Sequence, residues 1–250
     1  MRGETEVVLS EIRPVPLYQH ILIGNRLLDL FVDDGRVNPE LVRLERNSSR
    51  RIPGGDSRGG NRGWQQKSFS VIRSLSRAEV IEKLNEREFL PVIYFIFSRA
   101  GCDAAVTQCI KEGISLTNSE EKEEIRSVIA RRTTELSTED FGVLGFYEWC
   151  QALERGIASH HAGLLPMFKE TIEELFQRGL LKVVFATETL ALGINMPART
   201  VFLEKLIKWN GETHAPISPG EYTQLTGRAG RRGGVPAPRQ RGSGRSQDTS

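Results

Sequence analysis

The chain has few cysteines and no clustered metal ligands. Only Cys102, Cys109 and Cys150 occur among its 250 residues, and no two of them form a Cys-x-x-Cys pair. This odd, scattered set argues against a zinc site and a disulfide framework, and it indicates a reduced intracellular protein. Cys102 and Cys109 lie seven residues apart in a helical-looking stretch, so we expect both to pack in the core from one helix face.

Long apolar runs and an excess of one charge are also lacking. The N-terminus has no apolar signal region, and the longest apolar run, Leu90 to Phe97, is far shorter than the ~18–20 residues of a spanning helix. We therefore expect a cytoplasmic protein with no membrane partner. The net charge of +2 does not by itself indicate nucleic acid, and the 38% hydrophobic content is sufficient for a buried core.

Two segments have almost no apolar residues. Residues 46–73 hold seven Lys or Arg against the single Asp56, with several glycines, and predict a basic disordered insertion. A solvated linker is the simpler interpretation of this insertion, and contact with nucleic acid is the alternative. Residues 234–250 are rich in Gly, Ser, Pro and Arg and predict a disordered tail.

The remaining residues divide into an N-terminal segment and a larger α/β region. In residues 1–45, the β-branched stretch from Glu6 to Ile23 is interrupted by Pro14 and Pro16, which predicts two short strands and an extended connector. Residues 74–233 alternate apolar runs with helical patterns, which predicts βαβ units and a mostly parallel sheet. The predicted strands are Leu90–Phe97, Ile157–His160, Leu181–Thr187 and Thr200–Glu204, and the predicted helices are residues 76–87, 98–111, 119–132, 138–155 and 165–177.

Ligands of an open parallel sheet bind at the carboxyl ends of its strands, and a glutamine and arginine cluster follows them in the sequence. We expect Arg228 and Arg231 to lie near one another on a helical turn, because they are three residues apart. Two guanidinium groups beside the amide of Gln224 suit the oxygens of a transferring phosphoryl group. A solvated basic helix end is the alternative interpretation.

Four strings, taken in order, resemble motifs of the superkiller-type DExH helicases of superfamily 2, and in detail the HelY-type helicases of actinobacteria. They are Phe97-Ser-Arg-Ala-Gly-Cys102 (motif IV), His160-His-Ala-Gly-Leu-Leu-Pro166 (the following motif), Phe185-Ala-Thr-Glu-Thr-Leu-Ala-Leu-Gly-Ile-Asn-Met-Pro197 (motif V) and Gln224-Leu-Thr-Gly-Arg-Ala-Gly-Arg-Arg-Gly233 (motif VI). The resemblance covers most of the chain. It implies that residues 74–233 form a RecA-like three-layer α/β domain, the second of the two in a helicase motor.

The resemblance also implies residues that bind nucleic acid. Ser98 and Arg99 would contact the nucleic-acid backbone, with a helix N-cap and a surface arginine as the alternative. His160 would line the strand-binding face. We assign His161 a core role, because adjacent residues of a strand point to opposite sides, although histidine pairs also serve in packing and capping.

Motif V implies further contacts. Thr187 and Glu188 follow a predicted strand, where Thr187 would offer its hydroxyl and backbone N–H to a nucleic-acid phosphate at a helix start. Gly193 and Asn195 would lie beside the nucleotide, because glycine permits close approach and the amide can bond ribose or phosphate.

The chain has no GxxxxGK[ST] string and no Asp-Glu-x-His string. The resemblance therefore implies that a first RecA-like domain, in cis or in trans, binds most of ATP and Mg²⁺, while this chain contributes catalytic Gln224, Arg228 and Arg231. Single-stranded RNA or DNA is the expected partner, with RNA as our working substrate. The tail departs from the family, which suggests a truncated or frame-shifted reading frame, inactive alone. A non-catalytic nucleic-acid-binding module and a degraded gene product remain alternatives.

Overall fold

The computed structural model describes residues 17–32, 35–49, 75–137, 139–191, 196, 198–209 and 212–229. The chain divides into two compact units, one within Pro16–Ser76 and one that continues from Arg77. The predicted strand and connector before residue 17, most of the predicted insertion and the tail lie outside the described residues. Among the described residues, no helix has the length and apolar character needed to cross a membrane.

The first unit contains a β-hairpin and a helix. Strands β1 (His20–Ile23) and β2 (Arg26–Asp29) pair antiparallel, which confirms a strand only at the end of the predicted N-terminal β stretch. Helix α1 (Pro39–Ser49) follows, with Asn38 accepting the N–H of Glu40 at 3.0 Å. Residues 46–49 of the predicted disordered insertion are therefore helical, because α1 continues through them.

The second unit is built on a four-stranded sheet with the order β4-β5-β3-β6. Its strands are β3 (Val92–Phe95), β4 (Ile157–His160), β5 (Val183–Ala186) and β6 (Thr200–Leu203). All three pairings are parallel, which confirms the predicted α/β fold with a mostly parallel sheet. β3 and β5 are buried along their whole length, as continuous apolar runs predict for strands covered on both faces.

The remaining elements follow the predicted order with one interruption. The predicted helix over 138–155 is divided at Gly145, whose left-handed φ of +61° is incompatible with a continuous right-handed helix. The helices are α2 (Arg77–Glu86), α3 (Arg99–Lys111), α4 (Ser119–Arg132), α5 (Asp140–Val143), α6 (Phe146–Glu154), α7 (Pro166–Gln177), a 3₁₀ helix (Glu188–Ala191) and α8 (Pro219–Thr226). A hairpin of β7 (Ile207–Trp209) and β8 (His214–Pro216) precedes α8.

Helices cover both faces of the sheet. Side chains of α4, α6 and α7 form one hydrophobic core with Ile93 and Phe95 of β3. Tyr94 points to the opposite face, because successive side chains of a strand alternate. Cys102 and Cys109 of α3 are fully buried there, as predicted, and burial raises the pKa of both thiols to about 12.

An ion pair joins α2 to the end of β6 on the Tyr94 face. Arg77 donates from Nε and a terminal nitrogen to the two carboxylate oxygens of Glu204, at 2.8 and 3.0 Å. Both side chains are 25% exposed, so the pair is largely removed from solvent. Burial and the neighbouring Glu204 carboxylate raise the pKa of Tyr94, which keeps its hydroxyl protonated.

Candidate nucleic-acid interface

The carboxyl ends of all four parallel strands lie at one edge of the sheet. The register pairs Ala186 with both His160 and Phe95, and it pairs Phe95 with Leu203. The predicted site residues after β3, β4 and β5 therefore emerge along the same edge, although they are up to 90 residues apart in the sequence. Parallel topology alone produces this convergence.

Motif IV begins α3 at this edge. The Ser98 hydroxyl accepts the N–H of Gly101 at 3.2 Å, so Ser98 is the helix N-cap. Arg99 is exposed, and its guanidinium makes no ion pair with any described residue. A β-carbon on Gly101 would lie 2.8 Å from the Ile96 side chain, which explains why this tight turn requires glycine. The N-cap alternative for Ser98 is thus present, and Arg99 remains available to an anion.

The two histidines at the end of β4 are both buried, with exposures of 3% for His160, the last residue of the strand, and 5% for His161, the first residue after it. The predicted contrast between a groove-facing His160 and a core His161 is therefore not found. Strand alternation does not extend to His161, because β4 ends at His160. His160 Nε2 lies 2.9 Å from a carboxylate oxygen of Glu173 on α7. Burial lowers the pKa of His160 despite this carboxylate, so the ring is neutral at pH 7.

A pocket of about 280 Å³ opens beside these histidines. It lies between the end of β4, the start of α7 and the 3₁₀ helix that follows β5. The residues that line it are His160, His161, Ala162, Pro166, Lys169, Glu170, Glu173 and Thr189. The carboxylates of Glu170 and Glu173 and the ammonium group of Lys169 border this space, so its lining carries charges of both signs.

A carboxylate on α3 holds the second histidine, and sequence reasoning missed it. Asp103 accepts hydrogen bonds from the Ser159 hydroxyl at 2.7 Å and from His161 Nε2 at 3.0 Å. The other ring nitrogen of His161 accepts the backbone N–H of Gly163 at 3.1 Å. The available signal was the position of Asp103 one helical turn after Arg99, on the same face of α3.

Motif V starts in the last residues of β5, and the hydrogen bonds of its Thr187 differ from the predicted ones. The Thr187 N–H donates to the His160 carbonyl at 3.4 Å, as part of the sheet edge. The Thr187 hydroxyl lies 2.9 Å from that of Thr189, and Thr187 is only 6% exposed. Thr187 therefore does not offer a free amide to a phosphate, whereas Glu188 is exposed. Gly193 and Asn195 lie outside the described residues.

The first three residues of motif VI, Gln224 to Thr226, are the last three residues of α8. Ser218 and Glu221 form a capping box at the start of the helix, and Gln224 is exposed on its last turn. α8 ends at Thr226, and the N–H groups of Arg228 and Ala229 extend it by a tighter turn, because they donate to the carbonyls of Leu225 and Thr226, each three residues back. That Arg228 and Arg231 share a helical turn stays a prediction. Arg228 is 7% exposed in the turn after α8, and Arg231 lies outside the described residues.

Sequence reasoning also missed the β7–β8 hairpin. Trp209 pairs with His214, their rings meet edge-on with centroids 5.2 Å apart, and Trp209 is 55% exposed. The Asn210-Gly211 dipeptide in the sequence between the two strands was the signal that could have predicted a hairpin. The hairpin presents an aromatic surface in the segment between motifs V and VI.

Comparison with known proteins agrees with this geometry. Residues 105–233 match the family described as helicase conserved C-terminal domain. The chain is 54% identical over 245 residues to "Probable helicase HelY" of Mycobacterium leprae, covering 93% of this chain and 26% of that protein. It is 37% identical over 244 residues to "Superkiller complex protein 2" of Mus musculus, covering 93% of this chain and 19% of that protein.

A plant relative gives the same assignment. The chain is 39% identical over 264 residues to "DExH-box ATP-dependent RNA helicase DExH15 chloroplastic" of Arabidopsis thaliana, covering 93% of this chain and 22% of that protein. The chain thus spans about a quarter or less of the length of these relatives. The chain belongs to the helicase conserved C-terminal domain family, among the superkiller-type DExH helicases.

Proposed function

We propose that this chain is the second RecA-like half of an ATP-dependent helicase that moves on single-stranded RNA. The observation that carries the proposal is the single sheet edge at which the loops after β3, β4 and β5 converge. RNA is the proposed strand because the Arabidopsis relative is named an ATP-dependent RNA helicase. Cycles of closure and opening against a first domain would shift this edge along the strand.

The strand-binding role falls mainly on motif IV. The exposed Arg99 guanidinium suits a phosphate oxygen, and the Ser98 hydroxyl can still donate outward while its oxygen caps α3. Glu188 is exposed beside Thr187 at the adjacent strand end. The buried His160 and Thr187 act in this proposal by fixing the edge, and the pocket beside His160 is the place where the strand can reach them.

The nucleotide role falls on motif VI, with Gly193 and Asn195 of motif V beside the nucleotide. ATP with Mg²⁺ is held mainly by the first domain, because this chain has no phosphate-binding loop string. We assign Arg231 as the arginine finger that stabilises charge on the transferring γ-phosphoryl group. Arg228 supports it from a buried turn, and Gln224 is exposed on the adjoining helix turn.

Reconstitution with a first RecA-like domain from the same family tests the proposal. The chain alone is expected to show no RNA-stimulated ATP hydrolysis, and the mixture is expected to show it. Arg231→Ala should abolish hydrolysis by the mixture while ATP binding, followed with a fluorescent nucleotide, is retained. Hydrolysis by the chain alone contradicts the composite site, and unchanged turnover of the Arg231 variant contradicts the finger assignment.

A non-catalytic nucleic-acid-binding module is the second candidate. The exposed Arg99, which has no ion-pair partner among the described residues, favours it as much as it favours a motor. A chain that binds oligoribonucleotides but never supports hydrolysis with any matching first domain would select this second function.

A further inference from the structure

The carboxylate of Asp103 accepts hydrogen bonds from two residues elsewhere in the chain, and its side chain is 55% exposed. Ser159 Oγ lies 2.7 Å from Asp103 Oδ1, and His161 Nε2 lies 3.0 and 3.2 Å from its two oxygens. Ser159 belongs to the end of β4, and His161 is the first residue after it. Asp103 therefore ties the first turns of α3 to the loop that follows β4.

Both nitrogens of the His161 ring have a fixed role. Nδ1 accepts the backbone N–H of Gly163 at 3.1 Å, so the ring proton is on Nε2 and is donated to Asp103. The ring is 5% exposed and cannot turn without the loss of both bonds. Through this ring, Asp103 sets the conformation of the loop from His161 to Gly163.

That loop forms the surface beneath Arg99. A β-carbon built on Gly163 would lie 3.1 Å from His161 Nδ1 and 3.7 Å from Arg99 Cδ. The aliphatic part of Arg99 thus lies against Gly163 at ordinary van der Waals distance, whereas a β-carbon at this position would crowd the His161 ring. A displaced loop would therefore displace the Arg99 guanidinium.

The charge of Asp103 also bears on Arg99. The two residues are four apart on α3, a spacing at which opposite charges on a helix can pair, although the order with the cation first is the weaker one. They form no ion pair here, and the only ion pair of Asp103 within the described residues is with His161. Ser159 and His161 hydrogen-bond to the carboxylate, and the Arg99 guanidinium makes no ion pair with any described residue.

We propose that Asp103 is a positioning residue for strand binding, which holds Arg99 in place and unpaired through Ser159, His161 and Gly163. The proposal rests on the proposed function, because it takes the anion to be a phosphate of the bound strand. The direction in which strand binding changes when Asp103 is replaced distinguishes this role from a simple effect of charge. Loss of a carboxylate by itself strengthens binding to a polyanion, whereas loss of a positioning residue weakens it.

The test measures binding of a labelled 20-nucleotide oligouridylate to the full 250-residue chain by fluorescence anisotropy at low salt. Asp103→Ala and Arg99→Ala are each expected to raise Kd about 3–10-fold, as the loss of one typical hydrogen bond does. The double variant is expected to bind no more weakly than Arg99→Ala alone, because both changes remove the same contact. Glu123→Ala, which removes an exposed carboxylate on α4, is the control and should bind as tightly as the unaltered chain or tighter.

A second variant separates positioning from misfolding. Asp103→Asn keeps the side-chain shape and an acceptor at the Oδ1 position, but it removes the charge and replaces Oδ2, which lies 3.2 Å from His161 Nε2, with an NH₂ group. It should therefore fold and still weaken binding. Nitrogen-15 NMR of the imidazole should show the Nε2–H form of His161 in the unaltered chain and a mixture of ring forms in Asp103→Asn. Equal or tighter binding by both Asp103 variants, or additive effects in the double variant, overturns the proposal. Absence of oligouridylate binding by the unaltered chain overturns the proposed strand-binding function as well.

Discussion

The backbone N–H of Ala198 donates a hydrogen bond to the carbonyl oxygen of Arg228 over 3.3 Å. Ala198 and Ala229 form a parallel bridge at the same place. The segment after motif V and the turn of motif VI are therefore joined within this chain, immediately before β6 begins. Backbone groups thus anchor motif VI next to the sheet.

Arg228 is expected to contribute to stability as well as to turnover. It is 7% exposed, so Arg228→Ala removes a packed side chain and should cost about 1–3 kcal/mol of unfolding free energy. At roughly 2–4 °C per kcal/mol for a chain of this size, thermal denaturation will detect the change. Arg87→Ala, at an exposed arginine between α2 and β3, is the control, and equal melting temperatures for the two variants would contradict a structural role for Arg228.

The neutral, buried His160 predicts loss of stability in mild acid. Burial lowers its pKa below the ordinary 6.5, so the unfolded chain takes up the proton more readily than the folded chain. The stabilisation is complete above pH 6.5 and decreases as the pH falls from there toward the folded-state pKa. Urea titrations between pH 7.5 and 5 should show this decline, and His160→Gln, which cannot titrate, should flatten it. A parallel decline in the variant would exclude His160 as the cause.

The pair between Arg77 and Glu204 is expected to show measurable coupling. Both side chains are only 25% exposed and form two hydrogen bonds, so a double-mutant cycle with Arg77→Met and Glu204→Gln should give about 1–2 kcal/mol. The comparison is the exposed pair of Arg126 and Glu123, for which no measurable coupling is expected. A similar coupling energy in both cycles would show that burial does not strengthen the first pair.

Arg99 predicts a change in the salt dependence of strand binding. Each phosphate contact to a single strand contributes about 0.7 to the slope of log K against log salt, so Arg99→Ala should reduce the slope by about that amount. Arg87→Ala is the control, because it removes an equal charge. Arg87 lies before β3, away from the carboxyl ends of the strands, so this variant should leave the slope nearly unchanged. The slope is measured by titrating oligouridylate binding at salt concentrations between about 50 and 200 mM, where binding to phosphates changes strongly with salt. Equal slopes for the two variants would show that Arg99 contacts no phosphate.

The sequence by itself determined the family, the α/β class and the order of the four parallel strands with the helices between them, apart from the break at Gly145. Buried strands appear as continuous apolar runs, helix starts carry capping residues, and the helicase motifs are short strings, so each signal is local. Parallel strands then place residues after β3, β4 and β5 at one edge, which made Ser98, Arg99 and Thr187 predictable as neighbours of that edge.

Tertiary structure alone decided how those residues are used. Asp103 meets His161 across 58 positions of the chain, and no local pattern encodes that contact. The amide of Thr187 is taken by the His160 carbonyl because β4 and β5 pair, and Arg228 is buried because its turn bonds to Ala198. Hydrogen-bond partners depend on which distant segments share a sheet edge, whereas strands and motifs depend on neighbours in the sequence. For this reason the sequence predicted which residues lie near the sheet edge, and the fold determined which of their groups already have hydrogen-bond partners.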